Sequence, residues 1–158
     1  MTGILKVDQI QNNTGTSVMT FDSNGHVNLP QAIAFMAQKT DASTHTAGGN
    51  ITFNSTITAH SGWNGTTFTC PVAGKYRFHM SAHMQSMSNS AYQIGIAKGG
   101  TVVIVAYAYN STATRERNSC EAIISCNAGD AITFRLIEGD VYAGTGNSGV
   151  YCTGYLIG

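Results

Sequence analysis

The sequence predicts an all-β fold, a sandwich or jelly roll, and three observations carry that expectation. Charged residues make up only 10% of the 158, and 18 glycines with many Thr, Ser and Asn supply the polarity instead. Such side chains bond to nearby backbone in non-helical conformations and so favour turns and strands over helices. Apolar residues recur with period two in segment after segment, the pattern of a strand with one covered face. Gly-bearing turns separate these short segments at intervals that suit a sandwich.

The same composition excludes several functions. Eight Lys and Arg balance eight Asp and Glu, so the chain lacks the basic stripe of a nucleic-acid binder. With 42% apolar residues it has enough to build a core, which argues against disorder. The longest apolar run, 102–108, is too short to span a bilayer as a helix. The start, Met1 to Asp8, has no apolar stretch of the secretory type. Cys70, Cys120, Cys126 and Cys152 lack the close pairing of a zinc site and read as buried free thiols packing as small hydrophobes.

Residues 1–30 form a separate segment. Two alternating runs, Ser17–Phe21 and 26–29, flank Asp22-Ser23-Asn24-Gly25, a hairpin turn in which Gly25 can take positive φ. Two short strands bury no core alone, so this segment needs a partner, the main domain or copies of itself. Residues 31–158 are the head. Ala32, Ala34 and Met36 alternate with Ile33, Phe35 and Ala37. Ile51, Phe53 and Ile57 follow, then Phe68 and Cys70 on one face. In the clearest strand, Tyr76, Phe78, Met80, Ala82 and Met84 oppose Arg77, His79, Ser81 and His83. Later strands are expected at 92–97, 101–109, 120–126, 131–137 and 150–157.

The strand 101–109 is apolar on both faces, so its outer face is expected to meet another subunit or sheet. Val102, Ile104, Ala106 and Tyr155 are the candidate interface of a homotrimer. If connections alternate between two ends, the tight turns 71–74, 98–100 and 127–130 lie at one end. The long loops 59–65, 86–90, 110–118 and 139–149 then share the other. Loops held by a rigid sandwich commonly carry binding residues. Trp63 and Tyr142 offer flat faces for a sugar ring, and Arg115, Asn110, Asn64 and Asn147 offer polar partners. No nucleophile elbow, zinc helix or phosphate loop occurs, so no catalytic residue is expected. His79 and His83 would stand roughly 13 Å apart on a strand, too far to share an ion. Glu138 and Asp140 are the weak candidates for a calcium site; no other cofactor is expected.

Phe68-x5-Gly74-x-Tyr76-x-Phe78 resembles the core signature of the complement component 1q globular-head family. Ala128-Gly129-Asp130-x-Ile132, Gly154-Tyr155-Leu156-Ile157, Phe35-x-Ala37 and Asn50-Ile51-Thr52-Phe53-Asn54 fit it in order, over about residues 32–158. The resemblance implies a ten-stranded jelly roll, related to tumour necrosis factor, that forms compact trimers. It does not imply complement activity. Leu5-Lys6-Val7-Asp8-x-Ile10-Gln11-Asn12-x-x-Gly15, followed by Thr20-Phe21-Asp22-x-x-Gly25-x-Val27-x-Leu29-Pro30, resembles a segment of marine bacteriophage tail-fibre and other virion proteins.

Together these resemblances imply a virion protein on the tail or capsid surface, attached through residues 1–30 to other virion proteins. The expected function is a trimeric tail-fibre or fibre-tip head that recognises a host-surface glycan. A capsid decoration or cement trimer, or more remotely a soluble lectin-like module, is the alternative.

Overall fold

The computed structural model describes residues 7–29, 31–41, 45, 47–60, 62–85, 90–110, 115–141 and 149–158. The chain divides into two compact units, Met1–Ile33 and Ala34–Gly158. Among the described residues there is no helix.

The first unit is a three-stranded antiparallel sheet of β1 (Gln9–Gln11), β2 (Ser17–Phe21) and β3 (Val27–Asn28), with β2 in the middle. Its turn forms as the residues require. Asp22 Oδ1 accepts from the Asn24 and His26 amides, each at 2.8 Å, and Gly25 adopts φ 82°. A side chain with Cβ would be strained there. None of this unit's described residues is buried.

The second unit contains β4 (Ala34–Lys39), β5 (Gly49–Asn50), β6 (Ser55–Thr58), β7 (Thr67–Thr69), β8 (Gly74–Gln85), β9 (Ser90–Lys98) and β10 (Thr101–Asn110). It continues with β11 (Arg115–Cys126), β12 (Ala131–Glu138), β13 (Asp140–Val141) and β14 (Val150–Leu156). One sheet runs β10-β9-β12-β5, with β7 also on β12. The other runs β11-β8-β14-β4-β6, with β13 also on β8. This is the expected jelly-roll sandwich; the two-residue strands β5 and β13 make the count of strands a matter of definition.

The core lies between the sheets. Tyr76, Phe78, Met80, Ala82 and Met84 are all fully buried, as their alternation requires. Phe35 stacks on Trp63 with ring centroids 4.5 Å apart and on Phe68 at 4.7 Å. Phe53, Phe78 and Phe134 close the cluster edge-on or tilted. Burying each such ring contributes roughly 1.5–3 kcal/mol by area alone.

One end of the sandwich is tied by backbone bonds. The Cys70 amide donates to Asp130 O at 2.9 Å, Gly129 to Cys70 O at 2.8 Å and Gly99 to Ala131 O at 2.9 Å. Lys98 adds an ion pair to Asp130 at 2.8 Å. At the opposite end, backbone register brings Gln85 beside Arg115 and Asp140, and Ser90 beside Asn110. Three of the long connections therefore leave from that end, as expected.

The fourth does not. Segment 59–65 begins where the His60 amide bonds Ala34 O at the start of β4, and it returns where the Thr69 amide bonds Gly62 O. It therefore lies toward the tied end. The reason is a change of sheet: β5 pairs with β12, whereas β6 pairs with β4 in the other sheet. That crossing breaks the alternation of ends assumed from counting strands.

Candidate binding surface

Trp63 is not a surface residue. It is 8% exposed and lies nearly parallel to Phe35, with Phe53 and Phe134 against its other sides. Its indole face is occupied by the core and cannot stack on a sugar. Asn64 is exposed, but its Oδ1 accepts from the Thr66 and Thr67 amides at 3.0 and 2.8 Å, shaping the turn before β7. It belongs to the tied end with Trp63, apart from Asn110 and Arg115.

Asn110 closes β10 and Arg115 opens β11, so 110 and 115–118 are strand rather than loop. Tyr142 and Asn147 lie outside the described residues. Deeper in β11, Arg117 Nη1 donates to Ser81 Oγ at 3.2 Å and to Gly149 O at 3.3 Å. Asn118 is buried and donates to Ala106 O at 3.1 Å, linking β11 to β10 across the two sheets.

The largest exposed apolar feature of a single strand is on β10. This strand is ten residues long and ends its sheet. Ile104 and Ala106 sit opposite Ile96 and Ile94, which are fully buried, so they face inward and are half-covered. Val102 is half-covered too, ahead of an irregularity in the ladder. The exposed positions are their neighbours Val103, Val105, Tyr107 and Tyr109. Sequence reasoning picked the strand but the other parity. The signal it missed is size: the inward positions 106 and 108 are Ala, whereas 107 and 109 are Tyr.

On the other sheet's outer face, Tyr155 is partly exposed and its hydroxyl accepts from Arg77 Nη1 at 2.9 Å. Arg77 also pairs with Glu121, which raises the guanidinium's pKa and holds the carboxyl below its usual range. His79 lies 5.5 Å from the Tyr151 ring, and burial lowers its pKa. Near β13, Lys39 is 4% exposed and pairs with Asp41 at 2.5 Å. His45 bridges to Val141 nearby; burial first, and Lys39 second, lower its pKa.

Glu138 Oε2 accepts from Gln93 Nε2 at 2.7 Å, and Asp140 opens β13 against Gln85. Among the described residues, no three His, Cys, Asp or Glu side chains gather as a metal would need. All four cysteines are buried free thiols. Burial pushes the Cys70 and Cys120 thiols up to about 12, which leaves them unreactive near neutral pH.

The surface is therefore suited to contact and recognition by strand faces. Comparison with known proteins agrees with this architecture. Residues 34–157 match the family model of the C1q domain. The globular domain of zebrafish complement 1qA is similar in structure, with a TM-score of 0.63 and 21% identity, over 80% of this chain and 98% of that one. Eiger TNF from S. frugiperda gives a TM-score of 0.68 at 8% identity, over 81% and 94%. Murine APRIL gives 0.65 at 8% identity, over 80% and 99%. At these identities the structural neighbours attest to the fold, and the family model adds the lineage: this chain belongs to the C1q domain family.

Proposed function

We propose that the chain is a bacteriophage virion protein, a non-catalytic head that assembles as a homotrimer and recognises a glycan on the host surface. The single observation that carries self-association is β10, a ten-residue apolar strand at a sheet edge. Unpaired edges of this length and hydrophobicity pair or aggregate unless covered. A closed ring of copies covers them without leaving a new edge. Val103 and Val105, exposed on its outer face, are the residues a neighbouring copy would cover, whereas Val102, Ile104 and Ala106 face inward; Tyr155 lies on the other sheet's outer face.

The N-terminal unit supports the virion role. It resembles the phage-type segment in sequence and has no buried residue among those described, which suits it to attachment rather than to standing alone. The glycan reading rests on a chain in which only 10% of residues are charged and the net charge is zero, with Thr, Ser and Asn supplying the polarity. The test is adsorption of the labelled protein to a panel of bacterial cells, before and after periodate cleaves their surface sugars. Periodate-sensitive adsorption by a species that sediments as a trimer is expected. Adsorption to purified capsids alone would replace this reading with capsid decoration.

A further inference from the structure

The N-terminal sheet has two unlike faces. Residues directly opposite in an antiparallel pair share a face, and so do residues two apart along a strand. Ile10 is opposite Met19, and Phe21 is opposite Val27. Met19 and Phe21 are two apart on β2, and Leu29 follows Val27 at the same spacing. One face therefore carries Ile10, Met19, Phe21, Val27 and Leu29. The reverse face carries the row Gln9, Thr20 and Asn28, with Val18 at the irregularity in the β1–β2 ladder.

The apolar face lies open. Ile10, Val27 and Leu29 are 45%, 54% and 50% exposed, and Met19 and Phe21 are half-covered. No charged residue lies within β1, β2 or β3; Asp8 and Asp22 stand just outside the strands, at one end. Fully covering a side chain of this size removes roughly 60–120 Å² from water. Three such faces brought together bury roughly 1,000 Å², near the lower limit for a specific interface. That area is small for independent units but serves tethered ones. Residues 30–33 alone separate this face from β4, so heads that assemble hold their first units at high effective concentration.

We infer that the first units of three chains fold against one another, apolar face inward, into a shared core; this rests on the homotrimer reading above. Copies of the same face fit it: each is apolar and uncharged, and the heads deliver one per chain. Two faces packed as a pair would leave the third chain's face open, whereas three around an axis cover all of them. Met19 and Phe21, on the central strand, then point to the axis. Ile10 and Val27, on the outer strands, meet the outer strands of the next copy. The row Gln9, Thr20 and Asn28 stays outward for attachment to other virion proteins.

The test uses the full chain. Ile10 and Val27 lie on either side of β2, roughly 10 Å apart across one sheet, so cysteines placed there cannot bridge within a chain. The Ile10→Cys, Val27→Cys double variant, oxidised with diamide, should run as a covalent trimer on a non-reducing denaturing gel. Gln9→Cys with Asn28→Cys should remain single chains, as should the parent, whose four thiols are buried. Val27→Lys should speed amide exchange across residues 17–28 by about tenfold or more, because a charge enters an apolar contact. Asn28→Lys, on the reverse face, should stay within about twofold. Single chains from an Ile10→Cys, Val27→Cys protein that still sediments as a trimer overturn the shared core and leave the homotrimer standing. Equal linking of the two cysteine pairs, or equal exchange in the two lysine variants, also overturns it. Protection of 17–28 that arises only when purified virions lacking this protein are added assigns the face to another virion protein and overturns it too. A parent that sediments as a monomer overturns the homotrimer reading and the shared core together.

Discussion

The β2–β3 hairpin and the β8–β14 pair are built by the same local rules. Each is an antiparallel ladder of alternating residues. In the hairpin, Val18, Val27 and Leu29 remain exposed. In the sandwich, Phe78, Met80 and Cys152 are fully covered. The difference is what lies above each face. A second sheet stands over β8 and β14, so their apolar positions leave water, and burial stabilises the ladder. In the first unit no described residue is buried, and β2 is at most half-covered. Period two and a good turn suffice to make strands; only a second layer makes a domain.

This contrast has its largest consequence at Trp63. The ring belongs to the covered region, so Trp63→Ala should destabilise the sandwich by about 3–5 kcal/mol, the usual cost of deleting a buried aromatic. Urea unfolding monitored by far-ultraviolet circular dichroism would measure it. A variant that unfolds like the parent but no longer adsorbs would return Trp63 to the surface and break the comparison.

Gly154 sharpens it next. A Cβ there would collide with the Phe35 ring and approach Phe78 Cδ1 to 2.6 Å, in the middle of β14. Gly154→Ala should therefore cost about 1–3 kcal/mol through overpacking. Neither described glycine of the first unit offers such a test: a Cβ on Gly15 or Gly25 meets nothing within 4 Å, and only the positive φ resists it.

Much of the covered region was legible in the sequence. The run from Tyr76 to Met84 has unambiguous parity, and a register slip would expose all five apolar side chains. Trp63 was not legible. Beside Asn64 and Gly65 it has the composition of a binding loop, and its neighbours Phe35 and Phe134 are brought to it only by tertiary packing. The same holds for the end at which 59–65 lies. Its position follows from the chain changing sheets between β5 and β6, and two short strands carry no sequence mark of which sheet they join. On β10 the strand was evident but the outward parity was not, because both faces are apolar.

Acid should separate the two units with a smaller effect. Burial lowers the pKa of His79, whose neighbours Glu121 and Arg77 act in opposite directions. Burial and Lys39 lower that of His45, with Asp41 opposing. As pH falls through about 6.5, the unfolded chain takes up protons that the folded sandwich resists. Stability therefore declines on acidification, and His79→Gln should flatten the decline in a melting-temperature profile. The hairpin responds differently. Hydrogen bonds from His26 hold Asp22 below its usual value of 3.8, so its contribution persists above that pH and is lost only as pH falls through the lowered value.

The smallest expected effect on the sandwich comes from Asp22 itself. Its Oδ1 organises the turn through the Asn24 and His26 amides, and its Oδ2 meets His26 Nδ1 at 2.8 Å. Asp22→Ala removes all three bonds. With no buried residue among those described to hold β2 against β3, the turn is the main local restraint on that hairpin. Amide exchange across residues 23–28 should accelerate in the variant, while amides of β8 and β14 keep the protection of the parent. The melting temperature of the sandwich should not move, because no described residue of the first unit is buried. A matching loss of protection in β8 would mean that the two units share stability, and the division between a covered sandwich and an uncovered hairpin would fail at its origin.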